Sequence, residues 1–248
     1  MIATRYIQRT VLMFVCLTIL SKSIACAGDY ASRDILGFSP DGRFFAFEQY
    51  GVQDGSGFPY AEIFIIDTES DRWVEGSPIR VLQKKESESP AAARKAARKS
   101  AASLLQKRKI GEAGEHLASN PRAELSANPH RVVVNAAHRF MPRAEHPLTF
   151  DLAEKELESA ECAKYANQPL KGFTLTMTPV DETPIVLQDD KTLPESRGCA
   201  LGYAIADILR HESGGKITYA VLLHVQTVGY EGPDGRFLAV TRRLPKGQ

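Results

Sequence analysis

The chain carries six histidines, and their spacing argues for little metal or acid-base chemistry. His130, His138 and His146 recur at intervals of eight. A metal site built locally uses shorter gaps, such as H-x3-H on one helix face. Pro129, Pro142 and Pro147 also break any long helix through this stretch. The three read as surface-loop histidines, and no metal site or cofactor is expected. His116 and His211 stand alone. His224 lies inside the apolar run Val221-Leu-Leu-His-Val-Gln226, where a sheet histidine with a satisfied ring is the simpler reading.

Nucleophile and phosphate motifs are equally sparse. No G-x-S-x-G elbow and no H-E-x-x-H pair occurs. No P-loop occurs, and no G-x-G-x-x-G joins a strand to a helix. A triad assembled from distant residues would leave no such local trace. Catalytic residues are therefore unknown at this level.

Two segments carry groups suited to binding. The loop Gln53-Asp54-Gly55-Ser56-Gly57-Phe58-Pro59-Tyr60 places Asp54, Ser56, Phe58 and Tyr60 on a glycine-rich frame between two strand patterns. Its oxygens are too few for an EF-type calcium loop, and Asx-turn chemistry in a long hairpin is the plainer account. The second segment, residues 91–109, holds seven basic side chains and no acid. At 100° per residue Arg94, Lys95, Arg98 and Lys99 share one face, and Ala93, Ala96, Ala97, Ser100 and Leu104 share the other. Such a face can dock on an anionic envelope surface, or simply be solvated while the alanine stripe packs on a sheet.

The cysteines depend on where the chain goes. Arg5 and Arg9 precede an apolar run of ten, Val11 to Leu20, and Ala25-Cys26-Ala27 offers small residues at a cleavage site. Residues 1–27 thus read as a cleavable secretory signal leaving Gly28 first. The run is about half of what a bilayer-spanning helix needs, so no transmembrane span is expected. Cleavage removes Arg5, Arg9 and Lys22 and no acid, so 28 basic residues face 30 acidic ones and the net charge becomes about −2. That balance gives no case for nucleic acid. Cys162 and Cys199 remain, and in an oxidising periplasm or extracellular space they are expected to pair. Two buried thiols or one reactive cysteine are the alternatives.

The elements that must hold these groups are mostly strands. Period-two runs broken by Gly, Pro and Asp clusters fill residues 33–74 and recur from residue 131 to the end. Ser89 and Pro90 open a helix over Ala91–Lys109, which Gly111 and Gly114 end, giving a helical insertion at about 89–118. Asp151 to Tyr165 reads as a short helix with Cys162 near its end. Pro40-Asp-Gly-Arg-Phe-Phe-Ala46 matches Pro233-Asp-Gly-Arg-Phe-Leu-Ala239 at six of seven positions. This is either a good type I turn used twice or two equivalent hairpins.

The stretch Gly37-Phe-Ser-Pro-Asp-Gly-Arg-Phe-Phe-Ala-Phe47, followed by Glu62-Ile-Phe-Ile-Ile-Asp-Thr68, resembles one blade of a periplasmic β-propeller. The chain as a whole resembles a family of predicted secreted proteins of unknown function from alphaproteobacteria. Tyr30 to Arg43, Glu48 to Glu62 and Tyr230 to Val240 carry that likeness. The resemblance implies export and one domain, and supplies no reaction. The expected fold is mainly β, an antiparallel sandwich or barrel or a small propeller-like meander, with one long inserted α-helix. The expected role is a non-catalytic binding or envelope-interaction module whose partner is a periplasmic protein or an anionic surface. An exported hydrolase with a dispersed site is the alternative.

Overall fold

The computed structural model describes residues 28–135, 147–179 and 183–246. The expected signal segment 1–27, His138 and His146 lie outside these residues. The strands of the N-terminal part are β1 (Ser32–Phe38), β2 (Phe44–Val52), β3 (Pro59–Asp67), β4 (Arg72–Trp73) and β5 (Ile79–Leu82). Helix α1 (Pro90–Lys107) follows, then β6 (Glu115–Ser119), β7 (Arg131–Val134), β8 (Leu148–Glu156), β9 (Lys171–Thr178) and β10 (Ile185–Asp189). Three long strands close the chain: β11 (Ala200–Ser213), β12 (Lys216–Thr227) and β13 (Asp234–Pro245).

They form three antiparallel sheets. The front sheet runs β1-β2-β3, with β4 and β5 both on the far edge of β3. The central sheet runs β13-β12-β11-β6, and the back sheet β10-β9-β8-β7. Period-two alternation along β12 explains the stacking. Val221, Leu223 and Val225 face Phe150, Leu175 and Met177 of the back sheet. Ala220 and Leu222 face Phe45, Phe47 and Phe64 of the front sheet. A sheet apolar on both faces must be covered on both. Among the described residues the fold is thus a layered antiparallel stack with one α-helix and no closed barrel. The blade-like stretch from Gly37 to Thr68 lies in the front layer of this stack, so the propeller expectation does not hold. Among the described residues no helix is long and apolar enough to cross a membrane.

Helix α1 covers the outer face of the front sheet. Ser89 caps it, its Oγ accepting from the Ala92 amide at 3.2 Å, and Pro90 occupies the first turn. Ala93, Ala97 and Ala101 are buried against Ala46, Ala61, Ile63 and Ile65. Small side chains on both surfaces let the helix lie close.

Two sequence expectations are corrected. Asp151 to Tyr165 is not a helix: β8 continues to Glu156, and only Cys162–Lys164 forms a short 3-10 turn. The alternation of Leu148, Phe150 and Leu152 against β9 decides this. The helical insertion ends sooner than residue 118, because Glu115–Ser119 pairs with β11. Gly114, at φ 68°, permits that approach: a Cβ there would stand 2.8 Å from the Arg210 carbonyl.

The Pro-Asp-Gly-Arg echo resolves into two different structures. In the first copy Gly42, at φ 71°, donates to the Ser39 carbonyl at 2.8 Å within the β1–β2 turn. In the second, Asp234 and Gly235 already belong to β13. Gly235 lets the segment at Tyr30 run close alongside in a parallel bridge, since a Cβ would fall 2.2 Å from the Tyr30 ring. One glycine supplies a turn and the other supplies space.

Candidate functional site: a cleft along the edge of the central sheet

Among the described residues the outer edge of β13 has no strand partner beyond a parallel bridge between Tyr30 and Gly235. Its outward backbone groups are capped individually. Gly235 donates to the Asp29 carbonyl at 2.8 Å, Phe237 to Gln49 Oε1 at 2.8 Å and Thr241 to Asp71 Oδ1 at 2.7 Å. The unbroken register with β12 turns Ala239 outward by the same alternation. A cleft of about 950 Å³ lies over this stretch, with Arg236 to Val240 as its floor.

The front sheet supplies one wall through Glu62, Phe64, Trp73 and Arg80. Trp73 pairs with Ile66 and Arg80 with Glu62, so both stand on the face of the front sheet turned toward β13. The Arg80 guanidinium lies 5.9 Å from the Trp73 ring centre, and its Nε donates to Glu62 Oε1 at 2.7 Å. Its two terminal nitrogens make no hydrogen bond among the described residues. The back-sheet side supplies the other wall through Tyr165, Gln188 and residues 196–199. Trp73 and Tyr165 are 42% and 67% exposed, unusual for large aromatics on so layered a fold.

Both walls are tied down. Asp71 sits at φ 52°, in the left-handed region where non-glycine residues are uncommon. Its Oδ1 accepts from both the amide and the hydroxyl of Thr241, each at 2.7 Å, locking the β3–β4 turn onto β13. Burial pushes its carboxyl above the usual range, against the pull of the Thr241 bonds. On the other side a disulfide joins Cys162 to Cys199, and the Tyr165 amide donates to the Cys162 carbonyl at 2.9 Å. A smaller hollow of about 510 Å³ continues past Asp71 and Gln188 along the end of β13.

The sequence-derived loop stands elsewhere. Asp54 Oδ2 accepts from the Glu231 amide at 3.1 Å, and Ser56 Oγ donates to Gln53 Oε1 at 3.1 Å. Phe58 donates its amide to Ser56 Oγ. Tyr60 is buried and donates to Asp29 Oδ1 at 3.0 Å, and burial holds its phenol well above the usual range. These four side chains do not converge on one surface, and none lines the cleft. Tyr60 supports it from behind, because Asp29 in turn pairs with Arg236 of the floor at 2.6 Å.

The basic helix face divides in two. Arg94 and Arg98 turn down to the front sheet, where both meet Glu48 Oε2, at 2.9 and 2.7 Å, and Asp34. The Glu48 side chain is closed to solvent. Lys95 and Lys99 point to solvent.

The described histidines do not cluster. Among the described residues no group of three or more His, Cys, Asp and Glu is arranged to hold a metal. His130 Nε2 donates to the Tyr203 carbonyl, and His211 Nε2 to the Pro40 carbonyl. His224 packs edge-on to Phe237. A second cleft, of about 880 Å³, contains His130, His224, Arg122 and Glu154, but Arg122 is stacked on Tyr30 and Glu154 accepts from the Tyr203 amide. His116 and Ser119 lie within reach of Asp207, at 3.0 and 2.9 Å to its Oδ1. Arg33 fills the rest of that carboxylate. Serine and histidine both address the acid rather than each other, so no base activates the serine. A Ser-x-x-Lys spacing, which in some hydrolases marks a nucleophile, does occur at Ser213-Gly-Gly-Lys216, but there it is the turn between β11 and β12 with its two ends paired.

Trp73, Arg80, Asp71 and Tyr165 were not singled out by sequence. The signal available is a lone tryptophan directly after the polar run Thr68-Glu69-Ser70-Asp71.

Fold and site together define a layered antiparallel β protein with a polar, aromatic-walled cleft at the edge of its middle sheet. The chain belongs to the family described as predicted secreted protein (DUF2259), whose model matches residues 46–243. The match begins within β2 and ends within β13, so it includes both walls and the floor. No curated protein and no solved structure matches the chain.

Proposed function

We propose that this secreted-family protein works in the periplasm or outside the cell, after loss of residues 1–27, as a non-catalytic binding module with its site in the β13 cleft. The observation that carries this reading is the pair of solvent-exposed aromatics, Trp73 and Tyr165, on the lining of one fixed cleft. Concave sites with aromatic walls and a few polar groups are where small ligands bind. A disulfide beside the cleft suits an oxidising compartment. An exported hydrolase would need an activated nucleophile, and the nearest Ser, His and Asp grouping spends its carboxylate on Arg33.

The chain has a single tryptophan, Trp73, so its emission reports on the cleft alone. Titration with a fractionated envelope extract is expected to change that emission saturably. Native mass spectrometry is expected to show a bound component that is lost in a Tyr165→Ala variant. Neither a saturable change nor a Tyr165-dependent adduct would sink the reading.

A second reading rests on Lys95 and Lys99, which stay exposed on α1 while the neighbouring arginines are occupied. They offer a shallow cationic surface to an anionic envelope. Vesicle co-sedimentation with and without anionic lipid tests it, using the Lys95→Gln, Lys99→Gln double variant.

A further inference from the structure

We infer that the cleft takes an acidic saccharide, a chain of sugar rings bearing carboxylates; this rests on the cleft being the binding site. Three features carry it. First, the floor disfavours a peptide. Strand addition needs a row of open backbone groups, and Gln49 and Asp71 cap the β13 edge on both sides of Ala239. Only a short stretch of ladder is left, too little to hold an extended chain.

Second, the walls offer flat apolar faces in a polar surround. Trp73 and Tyr165 expose ring surface, while Gln188, Ser196 and Thr227 stand among them. Such rings combine a large rigid contact with a polar rim. Sugar rings have this character in reverse: one face of C–H groups ringed by hydroxyls. A purely apolar ligand would leave the polar lining unpaired.

Third, the cleft holds a cation with unused donors. Arg80 spends Nε on Glu62 and keeps its terminal nitrogens open beside the Trp73 face. A planar guanidinium fork matches a carboxylate. A carboxylate on a ring stacked at Trp73 would sit within reach of that fork. Neutral sugars have no group of comparable strength to place there.

The experiment uses the mature protein with three probes: trigalacturonate, maltotriose and a short oligoglutamate. Emission of Trp73 and calorimetry are the readouts. Trigalacturonate is expected to bind saturably, and Arg80→Gln to weaken it by about tenfold or more. Arg80 is half exposed, and unchanged thermal melting will show that the variant folds. Maltotriose binding as tightly as trigalacturonate, or indifference to Arg80→Gln, overturns the acidic assignment. Binding of oligoglutamate in preference to both sugars overturns the saccharide. If extract changes Trp73 emission while trigalacturonate does not, the ligand class is wrong and the cleft stands. If neither acts, the cleft itself is refuted.

Discussion

The carboxylate of Asp71 holds Thr241 by two bonds of 2.7 Å across the gap between the front and central sheets. One side chain thereby fixes the turn that presents Trp73. Asp71→Ala leaves the Thr241 amide without a partner and should cost about 2 kcal/mol. Asp71→Asn keeps an acceptor and tolerates the left-handed backbone, so it should cost well under half as much. Burial raises the folded-state pKa of Asp71 above its ordinary value. Stability from this group is then complete below the unfolded pKa and is lost as pH rises through the folded one. Urea denaturation across the acid range should show that loss flattened in Asp71→Asn. An unaltered pH slope would contradict the assignment.

His224 titrates with the opposite consequence. Burial pushes its imidazole down to about 4 from 6.5, and Arg122 and Arg33 add repulsion. A base with a depressed folded pKa gives stability that is full above the unfolded value and lost as pH falls toward the folded one. The loss should reach about 3 kcal/mol between pH 6.5 and 4. His224→Leu should remove that segment of the pH–stability curve. A variant that still loses the same stability over this interval would count against it.

The disulfide makes a covalent prediction. Intact mass of exported protein should begin at Gly28 and be lighter by two hydrogens than the dithiol form. A mass retaining Met1 would exclude cleavage after residue 27. Cys162 and Cys199 close a loop with a sequence separation of 37, which on the chain-entropy argument stabilises by about 4 kcal/mol. Reduction should lower the melting temperature and disturb the Tyr165 wall before the front sheet opens.

Glu48 anchors α1. Truncation to Ala leaves both guanidinium groups with only the partly exposed Asp34 carboxylate and should cost about 2 kcal/mol. Arg94→Gln or Arg98→Gln should each cost much less, because the other arginine still meets Glu48. A double-mutant cycle should therefore be strongly non-additive; additive losses would mean the two pairs act independently.

Much of the layering was legible because alternation is a local signal. Phe45 and Phe47, Leu148 to Leu152 and the three C-terminal strands could be read without knowing their partners. The helix was legible through Ser89 and Pro90. Glu115–Ser119 was not, because so short a segment becomes a strand only by lying against β11. The cleft was illegible for a related reason. Trp73 and Arg80, Tyr165, and Ala239 come from three distant stretches of sequence and meet only through the stacking of three sheets. The Asp54–Tyr60 loop drew attention by its composition, yet its polar atoms serve its own turn and the Glu231 amide. Arg94 and Arg98 shared a helical face with Lys95 and Lys99, and nothing local in the sequence announced that Glu48 would claim two of the four.

The capping of β13 by Asp29, Gln49 and Asp71 also bears on how two copies of the chain could meet. Two copies meeting edge to edge would find the strand already spoken for, with room for hardly a residue of shared ladder. Pairing of two copies through this edge is thus blocked by the very contacts that border the cleft.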